Sequence, residues 1–262
     1  MILAVNLFML VLVLAPIVMV VWMSFTPAAY FALPTAHLSL RWYREALSYP
    51  GFVDAFGLSV ELATLAAVAA VGSGFLAAYG LARFRPRGAA LLAGFFASPL
   101  LVPSVVFGIA MLQFVNRLGL YNNLAGLVLA HVVVVVPYAI RTLGVTLRTV
   151  PEELEWAAMV LGSSRLRTLL RVTLPLSARG LVTAFLFCFL MSFSEVTMTI
   201  FMAGPSLQTL PVRLYTYMSD RIDPTVAAVS SLVVLISLAL AIVVDLLGGF
   251  RLDRGQAGRA GA

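Results

Sequence analysis

Residues 148–179 read RTVPEELEWAAMVLGSSRLRTLLRVTLPLSAR, a polar, arginine-bearing island between long apolar runs. Its opening is a helix start: Thr149 stands three residues before Glu152 in capping-box spacing, Pro151 suits the first turn, and Glu152, Glu153 and Glu155 favour the positive end of the helix dipole. In the helix that follows, Leu154, Ala157, Ala158 and Leu161 fall at i, i+3, i+4 and i+7, one narrow apolar stripe with small side chains in its middle. Such a face lets another surface approach closely. Gly162 supplies a helix stop, Ser163 or Ser164 can cap a second helix, and Leu166, Leu169 and Leu170 give that helix its own apolar side before Pro175 ends it. The spacing predicts two short helices joined at a glycine.

Outward from the island the chain reads as membrane. Of its 262 residues 62% are hydrophobic and only 11% charged, too apolar for a soluble protein, and the sequence predicts one all-α integral membrane domain over residues 1–262. A spanning helix needs about 20 apolar residues. Six stretches have that length: 3–25, 58–82, 89–115, 124–147, 180–203 and 225–249. The first is longer than a signal peptide and lacks its basic start, so cleavage is not expected; a truncated or misassigned start codon would explain why no Arg precedes Leu3.

Arginine placement sets the orientation. With the N-terminus inside, the inner side holds twelve (Arg83, Arg85, Arg87, Arg141, Arg148, Arg165, Arg167, Arg171, Arg179, Arg251, Arg254 and Arg259), the outer side five (Arg41, Arg44, Arg117, Arg213 and Arg221). The positive-inside rule therefore predicts both termini and residues 148–179 in the cytoplasm. The net charge of +6 reflects this bias rather than nucleic-acid binding. All seventeen basic residues are Arg, so a GxxxxGK[ST] phosphate loop cannot occur here; if ATP drives the protein, a partner subunit binds the ATP and magnesium, and this chain needs no cofactor. Cys188 is the only cysteine, which excludes an intramolecular disulfide and a cysteine-rich metal site. Neither a serine nucleophile with a partnered histidine nor an HExxH pattern occurs; His37 falls in an outer loop and His131 reads as a satisfied interface histidine, so hydrolysis by this chain is not expected.

Ionisable groups inside spans are functional candidates because they are costly there. Glu195, beside Ser194 in the SFSEV stretch of the fifth span, is the best of them, whereas Glu61 reads as a first-turn residue of the second span, Asp245 as a headgroup or Arg251 partner, and Arg141 as snorkelling to the inner surface. Pro137, followed by Tyr138, and Pro99 with Pro103 free helical carbonyls that a water-lined path could satisfy. Gly72, Gly74, Ala77, Ala78 and Gly80 would let another helix come close. Outside, Ser39 can cap a helix from Leu40 to Leu47 with Leu40, Tyr43 and Leu47 on one face and Trp42 at the interface, while Arg83 to Arg87 form a topological stop that touches anionic lipid.

Ala157-Ala158, three residues, Gly162, nine residues, Val172, one residue, then Leu174-Pro175 resembles the EAA signature of ABC-importer permeases. Trp156 stands where that family usually carries the signature Glu, with Glu155 just before it. The resemblance runs from Ser24-Phe25-Thr26 to Asp223-Pro224-Thr225, and LSLRWY (38–43) and LPVRLYTYMSDRIDPTVAAVSSL (210–232) look like the spermidine/putrescine branch. It implies a type I permease of six transmembrane helices whose cytoplasmic coupling helix docks on an ATPase through residues 151–162. Glu155, Ala157, Ala158, Leu161, Gly162, Leu174 and Pro175 would then be coupling residues, and Glu195, Ser194, Pro137 and Tyr138 path candidates. The implied partners are ABC ATPase subunits, a second permease, a periplasmic binding protein and the lipid of a bacterial inner membrane. Polyamine cargo is favoured, with other small amines, amino-acid derivatives and phosphonates still open. A self-sufficient secondary transporter would usually show two repeated halves, and no internal repeat is evident.

Overall fold

The computed structural model describes residues 2–33, 37–204 and 206–248; the side chain of Asp245, and Arg251, Arg254 and Arg259 of the charge count, lie outside what it describes. Every regular element among the described residues is helical. Four helices are long and apolar enough to cross a membrane: α1 (Ile2–Met23), α3 (Pro50–Tyr79), α6 (Leu124–Thr149) and α13 (Thr225–Gly248). Two bent pairs raise the number to six if each counts as one span.

Those bends correct the expected spans. Helix α4 (Ala89–Ala97) continues as a 3₁₀ turn, Ser98–Leu101, and then turns by 100° into α5 (Ser104–Arg117), where the predicted stretch 89–115 was one helix. Val102 and Pro103 are both extended at the corner, as a residue before proline prefers. The segment Arg165–Leu176 meets α10 (Ala178–Phe193) at 72°, and α10 stops at Phe193 instead of running to 203; only the short α11 (Thr199–Met202) follows. The second span begins at Pro50, so Glu61 lies about three turns into α3 and is exposed there, not in a first turn.

The core is the mutual packing of α3, α6 and α10. Ala67 and Ala70 from α3, Ala139, Leu143 and Leu147 from α6, and Ala184 and Cys188 from α10 are all fully buried there. Lipid tails are as apolar as these side chains, so close packing holds the helices together more than exclusion from water does, and small residues supply the closeness. Gly74 is the tightest case, since a Cβ there would lie 2.7 Å from the Cβ of Ala139. Helix α1 packs along α13 and turns the rest of its apolar surface outward.

At the predicted outer end, α2 (Arg41–Ser48) starts one residue later than expected, with Ser39 Oγ accepting the Arg41 N–H at 3.2 Å. Its buried face is Trp42 and Ala46; Leu40 and Leu47 are 62% and 65% exposed. Tyr43 decides that orientation, because its hydroxyl bonds Ser24 Oγ at 2.6 Å and Ser231 Oγ at 2.8 Å and so ties α2 to the end of α1 and to α13. Helix α12 (Leu210–Asp220) packs on α3 beside it.

Candidate functional site

Two short helices do meet at Gly162. Helix α7 (Glu152–Val160) closes in a Schellman motif: Ser163 N–H donates to the Ala158 carbonyl and Gly162 N–H to that of Met159, both at 3.0 Å, with Gly162 at φ +88°. Ser164 then caps α8 (Arg165–Thr168), its Oγ accepting the Arg167 N–H. Two details differ from the sequence reading. Thr149 does not cap α7, because it is still the last residue of α6 and its hydroxyl donates to the Thr146 carbonyl at 2.7 Å. Nor does Pro175 end the second helix: a π turn, Leu169–Thr173, carries it into α9 (Leu174–Leu176). Leu174 N–H reaches back to the Leu169 carbonyl, and this wider turn accommodates a proline that has no N–H to give.

Glu155 faces inward, not toward a docking partner. It is 5% exposed; its Oε1 lies 3.0 Å from both Nε and Nη2 of Arg83 and accepts from Thr173 Oγ1 at 2.9 Å, while Tyr79 donates to Oε2 at 3.4 Å. Arg83 also donates to the Val150 carbonyl at 2.9 Å. Next to it Glu152 accepts from Arg85 at 2.7 Å. Arg83 sits in the π turn Gly80–Phe84 that continues α3, so one guanidinium joins that end of α3, the end of α6 and α7. The sequence assigned Arg83 and Arg85 to topology and lipid; both are engaged with carboxylates instead.

Among the described residues nothing covers the opposite face of α7. Leu154 is 46%, Trp156 56% and Leu161 89% exposed, with Ala157 exposed and Ala158 half-buried between them. Of the remaining residues implied for coupling, Pro175 is exposed, whereas Leu174 is half-buried and packs against the α3–α6–α10 core.

The second feature is the break after α10. Glu195 sits in non-helical chain between α10 and α11, half-buried, with Oε1 accepting the Met198 N–H at 2.7 Å. Its carboxylate therefore occupies an interruption of the span and satisfies one backbone donor that the break sets free. His131 holds the same place from α6: Nδ1 lies 2.8 Å from Ser192 Oγ and Nε2 3.0 Å from Thr199 Oγ1. Since the Thr199 hydroxyl donates to the Glu195 carbonyl, hydrogen-bond balance assigns the ring proton of His131 to Nε2. Ser194 is exposed and donates to the Leu190 carbonyl. Pro137 and Tyr138 are not gathered here; Pro137 is buried in α6, and Tyr138 packs edge-on against Phe187, about 10 Å along the helix from His131.

A sequence profile described as "binding-protein-dependent transport system inner membrane component" matches residues 70–250. The spermidine/putrescine transport system permease protein PotC of Haemophilus influenzae is 29% identical over 232 residues, 88% of this chain and 90% of that protein. The putrescine transport system permease protein PotI of Escherichia coli is 30% identical over 226 residues, 84% of this chain and 80% of that one. Among solved structures, a bacterial ABC transporter that imports the acidic polysaccharide alginate matches with a TM-score of 0.68 at 18% identity, covering 95% of this chain and 94% of that chain. The inward-facing MetNI methionine ABC transporter matches with a TM-score of 0.61, also at 18% identity, over 79% and 97%.

Proposed function

The chain belongs to the binding-protein-dependent transport system inner membrane component family, and we propose that its cargo is a polyamine, moved on energy supplied by a separate ATPase. It is a permease subunit of an ABC importer, with the type I permease fold, in a bacterial inner membrane. The partners in this reading are two ATPase subunits that hold ATP and magnesium, a second permease and a periplasmic binding protein. The permeases named for spermidine and putrescine, aligned over most of this chain, carry the cargo assignment. Uptake of labelled putrescine and spermidine, in cells that lack their own polyamine import and express this chain with its partners, tests it. Accumulation that excess polyamine suppresses is expected; suppression only by an amino-acid derivative or a phosphonate would move the cargo to that class.

Coupling runs through α7. Its exposed apolar face enters the ATPase, and closure of the ATPase pair displaces the helix, which drags the ends of α3 and α6 through Arg83 and so changes which side of the membrane the path opens to. Gly162→Val tests the turn that presents this face. A Cβ at Gly162 meets no atom within 4 Å, so the cost is confined to its left-handed backbone, about 1–2 kcal/mol. Normal insertion with several-fold weaker retention of the ATPase through purification is expected. Full retention and normal transport would remove Gly162 from the coupling role.

The same reading puts residues 148–179 in the cytoplasm. A cysteine at exposed Ser164, in a Cys188→Ala background, should react with impermeant maleimide in inside-out vesicles and stay unlabelled in intact spheroplasts. Labelling in spheroplasts would invert the topology.

A further inference from the structure

Arg83 and Arg85 are committed to Glu155 and Glu152, and of the arginines at the same end that have no such partner among the described residues, Arg141 and Arg148 are the two on α6. Arg141 and Arg148 are exposed on α6, and neither has a carboxylate within ion-pair distance among the described residues. Seven residues separate them, which puts both on one helix face about 10 Å apart. Both line a single cleft of about 510 Å³ between the end of α3, α4 and α6, whose other walls are apolar: Ala78 and Ala82 on one side, Ala89 and Ala93 on the other, and Ile140 and Val145 beside Gly144 on α6. The cleft shares Leu81, Ala82 and Arg148 with a second crevice that runs on to Arg85 and the start of α7.

We propose that this cleft seats an acidic phospholipid, its phosphate between Arg141 and Arg148 and an acyl chain along the alanine-lined wall. Charge favours an anion, because a guanidinium near the end of a membrane-spanning helix is costly unless it is paired or reaches the headgroups, and a bound headgroup phosphate supplies both. Shape then selects among anions: a free phosphate or a soluble acid would leave the apolar wall empty, whereas a lipid fills both parts, and basic pockets between transmembrane helices at the cytoplasmic side are where anionic headgroups are held. Assignment to the inner leaflet rests on the proposed orientation; the site itself does not. Its contact with the crevice beside α7 places the lipid where its presence bears on the coupling helix.

The test is native mass spectrometry of the purified permease–ATPase complex after exposure to mixed vesicles of phosphatidylglycerol and phosphatidylcholine. The wild-type complex is expected to retain phosphatidylglycerol in preference to phosphatidylcholine, and Arg141→Gln with Arg148→Gln to retain about thirtyfold less, taking about fivefold per arginine at a membrane surface. Gly144→Phe keeps both charges but fills the cleft, since a Cβ at Gly144 meets nothing within 4 Å; it should lose the lipid too. Arg167→Gln, outside the cleft, should retain it. Equal retention by wild type and the double glutamine variant would overturn the site, and displacement of the lipid by millimolar inorganic phosphate would reduce it to a plain anion site. A disulfide between Gly144→Cys and the second permease would show that a protein, not a lipid, covers the cleft. These readouts do not involve transport, so a failed polyamine assignment leaves them intact.

Discussion

Arg83→Ala is expected to abolish coupled transport while the subunit still reaches the membrane. The guanidinium is nearly buried and makes close contacts to Glu155 and to the Val150 carbonyl, so its removal strands the Glu155 carboxylate with Thr173 and Tyr79 as its remaining donors among the described residues. Breaking a buried pair from one side costs about 3–5 kcal/mol, and here the cost falls on the joint between α7 and the spans. ATP-driven uptake should drop by at least about a hundredfold, since about 1.4 kcal/mol is a factor of ten and the penalty exceeds twice that. The double replacement Arg83→Met with Glu155→Leu separates stability from coupling: removing both charges in favour of apolar groups restores abundance at little cost. Uptake should stay low in that double variant, because the charged link that drags α3 is still missing. Normal uptake with Arg83→Ala, or full recovery in the double variant, would mean that the pair only packs the loop.

Glu195→Gln is the second large effect. The amide oxygen of Gln can still accept the Met198 N–H, so the cap of α11 survives while the charge is lost. Expression and ATPase association should therefore remain normal. A carboxylate in a break of the span can offset the charge of a passing amine; a unit-charge pair at 4 Å is worth about 4 kcal/mol at an effective dielectric near 20, so uptake of putrescine should fall at least about tenfold. Glu195→Ala, which removes cap and charge together, should also lower the amount of subunit. Unchanged uptake kinetics in the Gln variant at normal expression would leave Glu195 a capping residue alone.

What the sequence made legible follows a physical pattern. Gly162 and the Leu154–Leu161 stripe were readable because glycine's left-handed freedom and a 3.6-residue period are local properties, and the structure has both where expected. The long apolar runs marked α1, α6 and α13 for the same reason. Glu155 was readable as important but not as inward-facing, since its partners Arg83 and Thr173 stand 72 and 18 residues away and no spacing rule links them. The break at Glu195 was hidden although Ser192, Ser194, Glu195, Thr197 and Thr199 are polar, because the apolar residues on either side carry the stretch to spanning length and a length rule does not register hydrogen bonding. His131 read as a satisfied interface histidine; it is satisfied, but buried, by Ser192 and Thr199, which stand 61 and 68 residues away and which no spacing rule links to it.

The central claim, that this chain is the polyamine-conducting permease of an ATP-coupled importer, is tested most directly in proteoliposomes. This permease, its second permease and its ATPase are reconstituted together, with the binding protein and labelled putrescine or spermidine on the binding-protein side and ATP on the ATPase side. The account predicts accumulation that needs ATP, the binding protein and an intact Arg83. Accumulation by this chain alone, driven by an ion gradient and indifferent to ATP, would contradict it.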